Sequence, residues 1–443
     1  MENADNATRT PVDQRNDRIP AGFFDRFLME VGALGPRESD LYIGGVLLVG
    51  GPAPSFEALR DRLAGQARHI PALGYRLVGD GREGWEKAPG FDPRDHIDAV
   101  SLPPGTDVLT ASLDVAARPL SPGRPLWGLT MVHGYSGDEY ALCYRAHHSF
   151  QDGLAIVQVV SALLSTSAPP RPAPERPTAR RRSANRSWRA LTDFGIPLKR
   201  TADDWPPFTP PLTGRRVLVT ASLSAAAVRD VTAATGASTH QVCLTAIAGA
   251  MREWTPDRWT GKGGRNKVRN PHVLIPLDLK RSRNVAEPGN YLCLMRVELP
   301  CGEPAALARL RAITTQTAPD RLLRHRNRYR TLLKVLPYRV TGTIIRRLTD
   351  RRYVCMVVST LRASVDVSAE DGTARGLYAL PPLYPGHHGM VVILQQPDVL
   401  TVSVLLDECV PDAGRFPELV VAAVDRLRTE VASASGGGSA GSR

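Results

Sequence analysis

From about residue 20 onward the chain switches repeatedly between two hydrophobic periods. Apolar residues spaced three and four apart predict helices over 21–34 and 55–69, with Ser55 as the N-cap of the second. Between them, 41–49 is a nearly unbroken apolar run of strand length, which predicts a strand buried on both faces. Short strands are predicted at 75–78 and 84–88, and a helix at 111–117. Strands at 126–134 and 140–147 are expected to pair across the turn Ser136-Gly137-Asp138. A helical pattern over 153–164 follows directly.

A second series starts near residue 214. It predicts strands at 216–222, 271–277, 292–299, 354–361, 377–380, 390–395 and 400–406. Helices are predicted at 224–236, 239–254, 302–315 and 411–431. Between the two series, 168–189 is rich in Pro, Ala and Arg and has the composition of an exposed linker. A chain of 443 residues suits two domains of roughly 200 residues. The expected division is an N-terminal subdomain at 18–166, a linker at 167–213 and a C-terminal subdomain at 214–431. Disordered ends are expected at 1–17 and 432–443, the latter being rich in Gly and Ser.

The junction between 140–147 and 153–164 carries the chemistry. It reads His147-His148-Ser149-Phe150-Gln151-Asp152-Gly153. Neighbouring strand residues point to opposite faces, so one cavity can receive only one of the two histidines. That one is suited to general-base work, with the other packed behind it. Asp152 is placed to orient the loop, and Gly153 to let the chain turn into the helix. Core packing and metal ligation are the competing uses of such a pair. A metal needs three or four ligands, and the nearby chain adds only Asp152, so no metal site is expected.

Composition narrows the picture further. No apolar run reaches the roughly 18 residues that would span a bilayer, and 1–17 lacks an apolar signal region. The expectation is a cytoplasmic protein. The six cysteines are scattered without a CxxC pair, so buried free thiols are expected. The net charge of +12 comes almost wholly from arginine. Part of it lies in Arg180-Arg181-Arg182 and part in 321–352. The latter reads as basic amphipathic helices broken at Pro337. Such helices could meet an anionic membrane, gather a phosphate-bearing thioester, or simply cover core with a solvated face. Nucleic acid is the weakest reading, since aromatic content is 6% and no recognition motif is present.

Several segments together resemble the wax ester synthase/diacylglycerol acyltransferase family, which groups with chloramphenicol acetyltransferases and condensation domains. They are the HHSFQDG run, Arg124-Pro125-Leu126-Trp127, Phe91-Asp92-Pro93-Arg94-Asp95-His96, and Ile275-Pro276-Leu277-Asp278-Leu279-Lys280 followed by Gly289-Asn290. The resemblance runs from about residue 20 to 430. The chain departs from the family pattern at Gly128, Thr239-His240, Lys280 and Ser359-Thr360-Leu361-Arg362.

The resemblance implies an α/β fold: two chloramphenicol-acetyltransferase-like subdomains in a V-shaped pseudo-dimer with a channel between them. It implies an acyltransferase that moves an acyl group from a thioester to a hydroxyl of a lipid or specialised-metabolite acceptor. His148 would be the base, with His147 and Asp152 beside it and Gly153, Lys280, Arg281 and Asn290 shaping the loop. Trp127, His240, Ser359, Thr360 and His388 are the expected channel residues. Acyl-CoA is the expected co-substrate, with no bound cofactor. The alternatives are a carrier-protein phosphopantetheine donor, as in a condensation enzyme forming an amide or ester, and a non-catalytic binding protein. Expected partners are a small-molecule acceptor and, in the alternatives, an acyl carrier protein or an anionic membrane surface.

Overall fold

The computed structural model describes residues 18–79, 83–121, 123–164, 205–259, 269–279, 287–363 and 372–436. Lys280, Arg281, the Arg180–Arg182 cluster and the expected disordered stretch 1–17 lie outside them.

The first half supplies helix α1 (Phe23–Gly32), strand β1 (Tyr42–Gly50), helix α2 (Phe56–Ala67) and the hairpin β2 (Tyr75–Val78) and β3 (Gly84–Lys87). Then come β4 (Ile97–Ser101), α3 (Val108–Ala116), β5 (Trp127–His133), β6 (Glu139–His147) and α4 (Gly153–Leu164). The second half supplies β7 (Arg216–Ser224), α5 (Ala225–Thr235), α6 (Thr239–Trp254), β8 (His272–Asp278), β9 (Leu292–Glu298) and α7 (Ala306–Gln316). It continues with α8 (Pro319–Val335), α9 (Tyr338–Leu348), β10 (Met356–Arg362), β11 (Thr373–Leu380), β12 (Gly389–Gln395), β13 (Val399–Asp407) and α10 (Arg415–Gly436). The expected break at Pro337 separates α8 from α9: the proline lacks the N–H that a continuous helix would need. The last turn of α10 reaches Gly436, so residues 432–436 are helical rather than disordered. Residues 205–213, expected as linker, also make tertiary contacts, with Trp205 buried edge-on against Trp254 at 5.3 Å.

Two sheets organise the molecule. The first has the order β11-β1-β6-β5-β4 and the second β7-β13-β12-β10-β8-β9. Each half therefore lends an element to the other. Strand β11, from the second half, pairs antiparallel with β1 and forms an edge of the first sheet. It is also tied to the second sheet, where Ala379 N donates to Ser403 Oγ at 3.1 Å and Thr401 Oγ1 donates to Leu377 O at 2.6 Å. In return α1 packs into the core of the second half. Phe24, Phe27 and Leu28 join it, and Phe24 stacks on Tyr329 at 6.2 Å. The 18–166 and 214–431 units are thus interlocked rather than separate.

Strand β1 lies between β11 and β6, and Gly44-Gly45 lets the backbones close up there. A Cβ at Gly44 would collide with the Tyr144 carbonyl oxygen, a backbone atom that cannot step aside. Gly44→Ala should therefore break the β1–β6 pairing. The expected result is a loss of at least the ~1–3 kcal/mol typical of overpacking, read as a lowered unfolding midpoint.

Candidate active site

Strand β6 ends at His147, and the turn His148–Phe150 leads into α4. Alternation separates the two histidines as anticipated. His147 turns toward α1 and β1, with its ring 5.9 Å from Tyr42 and its Nε2 beside Gly32. Its Nδ1 accepts the Ser149 backbone N–H at 3.1 Å, which fixes the ring proton on Nε2, and the Ser149 hydroxyl lies 2.6 Å from the same nitrogen. Burial, and then the neighbouring His148, push its pKa down to about 3. His147 is a buried neutral prop.

His148 faces the opposite way and lines a cavity between the two sheets. Its Nδ1 lies 3.1 Å from Asn290 Oδ1. The amide orientation of Asn290 is set by its other contacts: Nδ2 donates to the carbonyls of His148 at 2.6 Å and Ser149 at 2.8 Å. Oδ1 therefore accepts a proton from His148 Nδ1, and Nε2 keeps the lone pair. Burial lowers the pKa of His148, opposed by backbone interactions, the Asp152 charge and the Asn290 hydrogen bond. A neutral imidazole with a fixed tautomer is a base ready to take a proton at Nε2.

Asn290 is itself anchored by Asp25, a residue that the sequence reading did not single out. Asp25 Oδ1 accepts the Asn290 backbone N–H at 2.7 Å and its side-chain amide at 3.3 Å, while Oδ2 accepts Trp85 Nε1 at 3.0 Å and Gly22 N at 2.8 Å. Burial pushes the Asp25 carboxyl upward and these donors pull it back. Every one of these partners is an N–H, so the cluster suits the carboxylate. Gly289 completes the approach. Its φ is +106°, and a Cβ there would come within 2.8 Å of Asp25 Oδ2. The Gly-Asn pair thus brings a loop of the second half against the histidine loop of the first, with Gly289 N donating to Phe150 O at 2.7 Å.

Asp152 holds this junction from the other side. Oδ1 accepts Ala155 N at 3.1 Å in the first turn of α4, and Oδ2 accepts Tyr291 N at 3.2 Å. Lys280 and Arg281, expected to shape the same loop, fall outside the described residues. Gly153 opens α4 without a left-handed φ, so it is not needed for a bend. What it provides is clearance, since a Cβ there would meet Leu361 Cδ1 of β10 at 2.9 Å.

The cavity has a volume of about 450 Å³, within the range of small-molecule sites. Its walls are hydrocarbon from both halves, including Phe27 and Leu28 of α1, Ile156 of α4, Leu361 of β10 and Leu394 of β12. Polar groups gather at Arg346, Thr349, Asp350, Arg351 and His387. Of the expected channel residues, Ser359 lines the cavity, and four others do not. Thr360, the next residue on β10, points to the opposite face and meets His240 Nδ1 at 3.0 Å. Trp127 is buried as scaffold, with Nε1 donating to Leu73 O at 3.0 Å and its ring stacked on His96 at 4.7 Å. His388 stacks on Phe208 at 5.2 Å and bonds to Pro210 O through Nε2 at 2.9 Å. Its neighbour His387 is the one that reaches the cavity. No group of three or more potential metal ligands occurs among the described residues.

Burial of neutral histidines makes stability depend on acid. His147 is held at about 3 and His387 at about 4, against 6.5 for a free side chain. Below pH 6.5 the unfolded chain takes up protons that the native state refuses. Stability is therefore full above that pH and falls as the pH drops toward 4, by up to about 1.4 kcal/mol per pH unit for each group. Thermal scans from pH 7 to 4 should show a steadily falling Tm. A flat profile would contradict the burial of these rings as neutral groups.

The histidine loop of this two-lobed α/β fold thus faces a cavity between the two sheets. Residues 26–204 match the family model of the wax ester synthase/diacylglycerol acyltransferase catalytic domain. A probable diacylglycerol O-acyltransferase of Mycobacterium tuberculosis is 24% identical over 429 residues, covering 88% of this chain and 92% of that protein. Among solved structures, the wax ester synthase/diacylglycerol acyltransferase of Marinobacter aquaeolei superposes with a TM-score of 0.60 at 16% identity, over 93% of this chain and 99% of that one. The first condensation domain of the calcium-dependent antibiotic synthetase gives 0.64 at 17% identity, over 94% and 97%. Over residues 26–204 the chain is therefore similar to the wax ester synthase/diacylglycerol acyltransferase catalytic domain, and its fold is that shared by the wax ester synthase and condensation-domain structures. No helix among the described residues is long and apolar enough to cross a membrane.

Proposed function

We propose that the protein transfers an acyl group from a thioester, acyl-CoA in the first instance, directly to a hydroxyl of an apolar acceptor, with His148 as the general base. The supporting observation is the fixed tautomer of His148, which leaves the Nε2 lone pair available on a ring that lines an apolar cavity. Nε2 takes the acceptor's proton as its oxygen attacks the thioester carbonyl. The C–S bond then breaks, and the imidazolium returns the proton to the departing thiolate. Thiolate leaves readily, so no covalent enzyme intermediate is required. Ser359 is one of the hydroxyl-bearing residues that line the cavity, with Thr349 and Tyr384, and is the one assigned to stabilise the oxyanion. The apolar walls suit a long hydrocarbon chain and hold both reactants out of water.

The test is release of free thiol from a long-chain acyl-CoA, dependent on added long-chain alcohol or diacylglycerol. The ester product would be identified by mass spectrometry. The second reading, a condensation enzyme fed by a carrier protein, draws support from the likeness to condensation domains. Turnover with an acyl-carrier protein but not with acyl-CoA would favour it. Absence of turnover with both donors would overturn the acyltransfer reading.

A further inference from the structure

We propose that the pocket between α1 and α9 is a headgroup site that seats the protein on an anionic phospholipid surface, with Arg26 and Arg339 as its phosphate ligands. The proposal stands apart from the acyltransfer reading, because its test is binding and not turnover.

The two helices pack against each other. The Phe23 and Tyr338 rings are 5.2 Å apart, and Glu30 pairs with Arg346 at 3.0 Å. Beside that ion pair a pocket opens, lined by Arg26, Tyr338, Arg339, Gly342 and Thr343. Of the lining residues only Glu30 is acidic, and Arg346 already holds it. The Arg26 guanidinium lies 4.2 Å from the centre of the Tyr338 ring, and neither it nor the exposed Arg339 forms an ion pair among the described residues. Two guanidiniums thus line the pocket without a counter-charge. Their planar forks of donors match the oxygens of a phosphate.

Gly342 is an independent observation. It sits in the middle of α9, where glycine destabilises a helix relative to alanine. Its φ is not left-handed, and a Cβ there would meet nothing within 4 Å. Neither backbone conformation nor packing requires a glycine at this position. Yet the residue is buried, so the open space over it is the floor of the pocket. What the missing side chain provides is room for a ligand.

The surroundings select a lipid surface over a soluble phosphate. Val335 and Val340, on either side of the α8–α9 turn, are 63% and 45% exposed. Arg346 lines both this pocket and the cavity of His148, and Leu34, 70% exposed, lines that cavity as well. The pocket and the apolar cavity are therefore neighbours, with aliphatic side chains exposed beside them. Residues 319–352 hold ten arginines and one lysine against two aspartates. Cations that attract an anionic surface, joined to apolar side chains that enter it, are how a peripheral protein holds to a bilayer. A soluble phosphate ester would leave both valines and Leu34 in water.

The full-length protein is tested by co-sedimentation with phosphatidylcholine vesicles, with and without phosphatidylglycerol. Retention is expected only when phosphatidylglycerol is present, and it should fall as salt is raised. Arg26→Gln and Arg339→Gln should each weaken it about fivefold, the share of one arginine at an anionic surface. Gly342→Gln keeps every charge but fills the pocket, and should weaken retention about tenfold. Val340→Ser should also weaken it, a change that a soluble ligand would not register. A Tm for each variant separates a lost site from a lost fold. Arg339 is exposed and unpaired, so Arg339→Gln should keep the wild-type Tm and decides the matter if Arg26→Gln does not fold. Equal retention with and without phosphatidylglycerol would overturn the proposal, as would wild-type retention of Arg339→Gln. Wild-type retention of Gly342→Gln would overturn it in favour of diffuse charge attraction. Binding of soluble glycerol 3-phosphate without binding to vesicles would overturn it in favour of a small soluble ester.

Discussion

His148→Ala is expected to lower kcat by about 100- to 10,000-fold, the usual contribution of a positioned general base. The fold should survive. The carbonyls of His148 and Ser149 that receive the Asn290 amide belong to the backbone, and Asp25 continues to hold Asn290. His148 also donates its backbone N–H to Leu41 O at 2.9 Å, a bond that alanine keeps. The measurement is thiol release under saturating substrates, with Tm recorded in parallel. A variant that keeps more than about a tenth of the wild-type rate would be incompatible with base catalysis at Nε2. Asn290→Ala should give a smaller fall, because it removes the group that fixes the tautomer but not the base itself.

Asp25→Ala should be the most destabilising of these substitutions, by roughly 3–5 kcal/mol. Removing the carboxylate strands the Trp85 indole N–H and the backbone N–H groups of Gly22 and Asn290, all satisfied by that one side chain. Each stranded buried donor costs about 1–3 kcal/mol. The loss should appear as a lower denaturant midpoint together with a reduced kcat, since Asn290 would no longer hold His148. Asp25→Asn keeps the shape but turns an amide N–H toward surrounding donors, so it should recover only part of the stability. An unchanged midpoint for Asp25→Ala would mean that the cluster does not clamp the two halves together.

Much of this site was legible in the sequence because it is local. The spacing His147-His148-x-x-x-Asp152-Gly153 fits a strand end, a turn and a helix start, and that is where these residues lie. Asn290 could be flagged as a loop residue, but its bond to His148 spans 142 positions and has no local signature. Asp25 was hidden for a different reason. An acidic residue in the first turn of a helix already has an ordinary explanation, so nothing in the pattern pointed to a buried carboxylate. The His387-His388 pair shows the limit of chain periodicity. The sequence reading expected His388 in the channel, but a loop carries no fixed alternation to say which of two adjacent histidines would enter the cavity. Strand β10 has that alternation, and it places Ser359 inward and Thr360 outward. Strand content was also easier to anticipate than strand partnership. The apolar run that became β11 looked like any other strand of the second half, and its sheet membership is a long-range property.

That partnership has a consequence for biogenesis. The first sheet gains its β11 edge only when residues 373–380 are available. On a ribosome, the amino-terminal part would be made while β1 still presents one open side of hydrogen-bonding groups to solvent. Translation at about 5–20 residues per second keeps it in that condition for many seconds, a period in which pairing with other chains competes with native closure. Fragments ending before Thr373 should therefore need a chaperone to stay in solution, and the full-length chain should need one least once β11 has closed that side.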